Sequence, residues 1–95
     1  MLMVTEDRTG DVLTLKLAGV LAGDWTNEVR RSWRDATSSI EASRVIVTLS
    51  EVTFIDDRGK ELLSLMMKEG AELIASDILT KSIVEEITVE AALAV

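Results

Sequence analysis

Asp56 and Asp57 are the residues whose type and spacing most invite chemistry in this sequence. They stand in "TFIDDRGKELLSLMM", between a β-like run, Val52 to Ile55, and a run with helical spacing, and Arg58 and Gly59 follow them directly. Adjacent carboxylates repel each other, so their place at a strand–helix junction needs a cause. The first candidate is a helix cap: an Asp accepts backbone N–H bonds there, and the positive end of the helix dipole favours either acid, each effect being worth roughly 0.3 to 2 kcal/mol. One Asp suffices for that, so capping accounts for half of the pair. The second candidate is a metal or acid–base site. Two acids offer oxygen ligands to a hard cation, but no further ligand cluster lies near in sequence, and no nucleophile or second catalytic group accompanies them. The third is a surface that another protein reads, since exposed amides at a helix start suit negative charge, including a phosphate on a neighbouring side chain.

Composition narrows the functions that such a site can serve. The chain has 95 residues, the size of one small domain with one core, and 47% of them are hydrophobic, enough for a packed globule. Only Trp25, Trp33 and Phe54 are aromatic, so the core must be aliphatic. A net charge of -7 argues against nucleic acid or an anionic membrane as partner, because phosphates would be repelled. Without Cys or His there is no disulfide, thiolate or imidazole chemistry, and no cofactor, metal or catalytic residue is expected. No apolar run reaches the ~18 residues of a membrane span. The acidic N-terminus "MLMVTEDRTGD" is unlike a signal peptide, so a cytoplasmic location is expected.

Strand-like and helix-like patterns alternate along the chain. "LMVTEDR" is a short strand candidate, and "TGD" a turn that would join it in a hairpin to "VLTLKLAG", where Leu13, Leu15 and Leu17 share one face. Gly19 and Gly23 bracket a loop, "GVLAGD". A helix capped by Asp24 or Thr26 follows, with Trp25, Val29, Trp33, Ala36 and Ile40 as its apolar stripe. "RVIVTL" is a nearly continuous β-branched run, the pattern of a strand covered on both faces. The next helix is expected over Gly59–Glu69, with Leu62, Leu63, Leu65, Met66 and Met67 on its apolar side and Gly70 as its stop. "AELIAS" reads as a short strand. Asp77 can cap a last helix, "ILTKSIVEEITVEAALAV", with Leu79, Ile83, Ile87 and Ala91 in register. The order β-β-α-β-α-β-α predicts an α/β fold: a small mixed sheet with helices packed on it, its later strands parallel through right-handed crossovers. The Asp56–Asp57 junction then falls at the carboxyl end of a central strand, where ligands and partners usually meet open α/β sheets.

The stretch "RVIVTLSEVTFIDDRGKELLSLMMKEGAELIAS" resembles the core of a STAS domain, the family of the bacterial anti-sigma-factor antagonists, and "LKLAGVLAGDW" is similar to the family's L-x-G-x-L segment. The likeness covers nearly the whole chain, as a single STAS-like domain over 1–95. The usual family motif at the junction is hydrophobic–Asp–Ser–Ser–Gly–Leu. Ile55, Asp56 and Gly59 keep it, whereas Asp57 replaces the phosphorylatable serine, Arg58 the next serine and Lys60 the leucine; Thr48 replaces the usual earlier Asp or Asn. The resemblance implies a non-catalytic protein-interaction module in bacterial signalling or transcription regulation, its partner an anti-sigma-factor kinase-like protein or a signalling scaffold. No phosphorylation is expected at Asp57. A carboxylate there carries about -1 charge against roughly -1.5 to -2 for a phosphoserine, so it imitates the modified state in part and permanently. The alternative is a STAS-like cytoplasmic accessory subunit of a transport system, for which no serine switch is required. The residues expected to bind a partner are Asp56, Asp57, Arg58, Gly59 and Lys60, with Asp24 and Trp25 in the loop before the first helix.

Weaker signals have plainer readings. Trp25 and Trp33 read as core residues, Trp25 partly exposed at the helix start; Met66 and Met67 read as core filler rather than a binding surface. Arg30, Arg31 and Arg34 read as a solvated helix face, with an acidic partner patch as the minority account.

Overall fold

A computed structural model describes residues 2–38 and 44–93. The elements run β1 (Leu2–Thr9), β2 (Val12–Leu21), α1 (Trp25–Ser38), β3 (Arg44–Ile55), α2 (Asp57–Lys68), β4 (Glu72–Ile74) and α3 (Ile78–Leu93), the order that the sequence pattern predicts. The strands form one mixed sheet in the order β1-β2-β3-β4, with β1 antiparallel to β2 and both β2–β3 and β3–β4 parallel. The hairpin turns at Gly10, whose φ of 60° is followed by no second positive φ, as a II′ turn requires.

Alternation along β2 sends Leu13, Leu15 and Leu17 to the face where the helices lie. There they join Val47 and Leu49 of β3, Val29 and Trp33 of α1, Leu62, Leu63 and Met66 of α2, and Ile83 and Ile87 of α3 in one core cluster. The middle helix of that layer is α2, packed against α1 on one side and α3 on the other. The strand over "RVIVTL" was expected to be covered on both faces. Instead Ile46 and Thr48 are only half-buried, because the described helices all sit on one side of the sheet. The other face is laced by ion pairs between neighbouring strands, Lys16–Glu51 at 3.2 Å and Arg44–Glu72 at 2.6 Å.

Further departures from the sequence reading have local causes. The 44–49 and 52–55 runs merge into a single 12-residue strand. Its register against β2 slips twice, Lys16↔Thr48 giving way to Ala18↔Glu51 and Gly19↔Val52 to Val20↔Phe54, so β3 carries one extra residue at each bulge. Each bulge breaks the alternation, leaving Ser50 with Glu51 and Thr53 with Phe54 as consecutive exposed pairs. The "GVLAGD" loop is shorter than expected, since β2 pairs as far as Leu21. Helix α2 begins at Asp57 rather than at Gly59. It ends as expected at Gly70, φ 99°, where the Gly70 amide donates to the Met67 carbonyl and the Ala71 amide to the Met66 carbonyl, a Schellman closure. Strand β4 keeps only three residues of "AELIAS".

Trp33 is buried, and its indole N–H donates to Glu69 Oε2 at 2.8 Å, tying α1 to the end of α2. Met66 is buried and Met67 half-buried, as core filler should be. Asp77 does cap α3: its Oδ1 accepts the Thr80 amide and hydroxyl, each at 2.7 Å. The amide bond first and the hydroxyl second hold the Asp77 carboxyl below the ordinary aspartate value. That cap turns Thr80 into the core and leaves Leu79 52% exposed, so Leu79 does not share the buried register of Ile83 and Ile87. Ile40, Val95 and the side chain of Ala91 lie outside the described residues.

Gly59 is the tightest point of the helix–sheet contact. A Cβ there would press on the Leu21 carbonyl oxygen and lie 2.9 Å from Ile55 Cγ2. Backbone cannot retreat as a side chain can, so Gly59→Ala is expected to lower stability by about 1–3 kcal/mol in a urea titration. An unchanged midpoint would mean that α2 is free to lift off β2.

Candidate functional site

The chain end of β3 delivers Asp56 in extended conformation, φ -94° and ψ -173°, directly before the first turn of α2. Its two carboxylate oxygens divide their work. Oδ1 accepts the Gly59 amide at 2.8 Å and so caps α2; Oδ2 accepts the Gly23 amide at 2.9 Å across the top of the sheet. The Asp56 amide donates to the Leu21 carbonyl at 3.2 Å, and its own carbonyl accepts the first helical bond, from the Lys60 amide, at 3.0 Å. The bonds from Gly59 and then Gly23, with the nearby Arg58 charge, hold the Asp56 carboxyl below the ordinary 3.8, against a smaller opposing effect of desolvation.

The Gly23 bond assembles the candidate surface, because Gly23 belongs to the turn that launches α1. With φ at 56°, this glycine is in the left-handed region that side chains disfavour. Asp24 and Trp25 follow it, both exposed, Trp25 at 44%. Val20, Ala22, Gly23, Asp24, Trp25 and Glu28 line an open groove of about 510 Å³. Asp57 and Arg58 are exposed in the first turn of α2, and among the described residues no hydrogen bond or ion pair engages the Asp57 carboxylate. Of the residues expected at this surface, Asp24, Trp25, Asp57 and Arg58 are presented at one end of the sheet, while Asp56 and Gly59 are consumed in holding them. Lys60 turns elsewhere: its ammonium pairs with Glu86 of α3 at 3.4 Å.

Sequence reasoning missed Phe54 as part of this surface. It is 52% exposed and is the register partner of Val20, which lines the groove. Strict alternation cannot bury both Val52 and Ile55, which have Thr53 and Phe54 between them, and the bulge at Thr53 is what resolves it. The link from Asp56 to Gly23 was also missed, since nothing local relates two residues 33 positions apart.

Chemically the end of the sheet offers fixed negative charge, an aromatic surface and one guanidinium. Among the described residues no group of three or more acids is placed to hold a metal ion. No helix is long and apolar enough to cross a membrane. Of the basic run on α1, Arg31 and Arg34 are exposed, Arg31 lying 3.9 Å from Glu28, whereas Arg30 is half-buried with its Nε enclosed, so the solvated face expected for all three holds for two.

No family model matches the chain, and no curated protein matches it. Solved structures do. The crystal structure of Mglu superposes with a TM-score of 0.60 at 25% identity, covering 77% of this chain and 19% of that one, so the chain spans about a fifth of Mglu's length. The STAS domain of an anti-sigma-factor antagonist from Rhodobacter sphaeroides superposes with a TM-score of 0.52 at 21% identity, over 78% of this chain and 84% of that domain.

The divided work of Asp56 makes a sharp expectation. Its lowered carboxyl value means that its contribution to stability is fully present above the ordinary 3.8 and is lost as pH falls through the lowered value. The stability gap between wild type and Asp56→Ala should therefore be constant from neutral pH to about pH 5 and then close in acid; Asp77 is common to both proteins and cancels. Urea midpoints at each pH measure it. At neutral pH Asp57→Ala should cost less than Asp56→Ala, and the reverse order would make Asp57 the cap. With β1–β4 and α1–α3 arranged in this way and the R. sphaeroides domain superposing along most of its length, the chain is, in fold, a STAS-like domain.

Proposed function

We propose that the chain is a non-catalytic protein-interaction module of the STAS, anti-sigma-factor antagonist type, acting as one domain in bacterial signalling or transcription regulation in the cytoplasm. The observation that carries this reading is the exposed Asp57 carboxylate in the first turn of α2, unengaged among the described residues, beside an Asp56 that already satisfies the cap. A second acid adds little to helix initiation once the first has taken the amide, so its position suits an outside reader. The exposed Trp25 and Phe54 supply the kind of aromatic anchor that protein interfaces favour. The partner fitting this surface is an anti-sigma-factor kinase-like protein or a signalling scaffold.

In this reading Asp57 is a constant of the surface rather than a variable. Having no hydroxyl, it cannot enter a serine-phosphorylation cycle, and its permanent charge holds the module in a state like the phosphorylated one, uncoupled from a serine kinase that binds only the neutral form. Arg58 and Trp25 stay available to a partner that tolerates or requires the charge. The likeness to part of the much longer Mglu chain supports such a unit being used within a longer chain as well.

Incubated with an anti-sigma serine kinase and ATP, the wild-type chain should show no phosphate between Asp56 and Gly59 by mass spectrometry. Asp57→Ser should bind the same kinase more tightly without ATP, on the order of tenfold (~1.4 kcal/mol), and lose that binding when ATP is added. Equal affinities by titration calorimetry for the two forms, with ATP making no difference, would remove Asp57 from any switching role.

A further inference from the structure

Helix α1 starts without the side-chain cap that its sequence offers. Its first turn is closed by backbone: the Trp25 amide donates to the Ala22 carbonyl and the Thr26 amide to the Gly23 carbonyl, each at 3.2 Å, and the Asn27 amide to the Asp24 carbonyl at 3.1 Å. The Thr26 hydroxyl is enclosed and makes no hydrogen bond. Among the described residues no hydrogen bond or ion pair engages the Asp24 carboxylate either, so this acid has no part in holding the helix start. It is exposed beside Trp25, and exposed Glu28 follows at spacings of four and three, on the same side of α1 as both. Val20 of β2 and Ala22 of the turn complete the groove of about 510 Å³. The bond from the Gly23 amide to Asp56 Oδ2, at 2.9 Å, fixes the turn on which the groove is built.

The charge of this groove has one sign. Of its six lining residues two are acids, one carries an indole, and none is a base. The positive end of α1 offsets roughly half a charge, so about one and a half negative charges remain. Arg31 lies 3.9 Å from Glu28, but both side chains are largely exposed, so the pair is weak, and it leaves Asp24 untouched. An acidic or phosphorylated side chain is therefore repelled. An apolar one would cover Trp25 but leave two carboxylates less hydrated and without a counter-charge. Arginine suits each part of the groove. Its aliphatic stem matches Val20 and Ala22, and its planar guanidinium both stacks on an indole and pairs with carboxylates. A lysine ammonium, compact and strongly hydrated, uses the indole face less well.

We propose that the groove at the start of α1 is an arginine-recognition site, in which a partner protein places one arginine side chain against Trp25 and between the carboxylates of Asp24 and Glu28. The inference rests on the reading of this end of the sheet as a protein-binding surface, and it names the chemistry that the partner must bring.

The test uses the whole chain, isotopically labelled for amide NMR, and the capped pentapeptide acetyl-Gly-Leu-Arg-Leu-Gly-amide at an ionic strength of about 0.15 M, where charges beyond about 8 Å are screened. Its control carries citrulline, a neutral analogue of the same shape, in place of arginine. The arginine peptide should shift the amides of Gly23–Glu28 and the Trp25 indole N–H saturably, and the citrulline peptide should bind about tenfold more weakly. Asp24→Asn with Glu28→Gln should remove that difference at a nearly unchanged urea midpoint, because both acids are exposed and Asp24 caps nothing. Trp25→Leu, which keeps an apolar side chain but loses the π face, should weaken the arginine peptide about threefold. Equal binding of the two peptides, shifts scattered over the acidic surface, or a preference for arginine that survives Asp24→Asn with Glu28→Gln would overturn the proposal. Asp57→Ser separates it from the wider reading. If that variant couples to a serine kinase while the arginine peptide leaves Gly23–Glu28 unmoved, the groove proposal fails and the interaction module stands; if the peptide binds as expected and neither form of the chain associates with the kinase, the groove stands without that partner.

Discussion

One carboxylate holds the end of this molecule together. Asp56 ties the start of α2 to itself through Gly59 and to the α1 turn through Gly23, with bonds of 2.8 and 2.9 Å from separate oxygens. The end of β2 takes part twice at the same junction: the Leu21 carbonyl accepts the Asp56 amide and also limits how close α2 can come at Gly59. A neutral side chain could cap the helix, but it would not bind two amide donors with a charge-assisted pair. The consequence reaches past stability. Trp25 and Asp24 are placed relative to Asp57 by this bridge, so the geometry of the exposed surface depends on a residue that is itself half-buried.

That division of labour explains why the two neighbouring aspartates are not redundant. Asp56 is saturated by intramolecular donors and has little left to offer a partner. Asp57, one residue on, has rotated with the first helical turn to solvent, where nothing within the described residues engages it. Adjacent like charges are tolerable because the amides at the helix start and the Arg58 guanidinium compensate the inner one.

Much of the architecture was legible in the sequence, because periodicity and punctuation agree there. The triplet Leu13, Leu15, Leu17 gave the buried face of β2, Gly70 gave the end of α2, and Asp77 gave the start of α3. The Asp56 cap was legible too, as a short acid before a helical run. What escaped was whatever depends on chain segments meeting at a distance. Unbroken β-branched sequence over Val45, Ile46 and Val47 resembles a doubly covered strand, and only the placement of α1, α2 and α3 on a single side reveals the open one. The bulges in β3 follow from its pairing with a shorter β2, which no residue in "LSEVTFI" declares. Leu79 failed because helical spacing gives a relative angle, whereas the Asp77–Thr80 bonds set the absolute one. The fold is shared with the R. sphaeroides STAS domain at 21% identity, which fits a scaffold specified by pattern more than by particular side chains.

The two tryptophans report on opposite ends of this design. Trp33 is 2% exposed and hydrogen-bonded to Glu69, while Trp25 is 44% exposed at the groove, and the sequence contains no tyrosine to share their absorption. An indole shielded from solvent emits at shorter wavelength and is protected from dissolved quenchers, and one open to water is neither. The protein thus contains its own pair of optical probes: one follows the closure of α1 on α2, and the other follows whatever occupies the groove beside Asp24. Their signals separate by quencher access without any label being added.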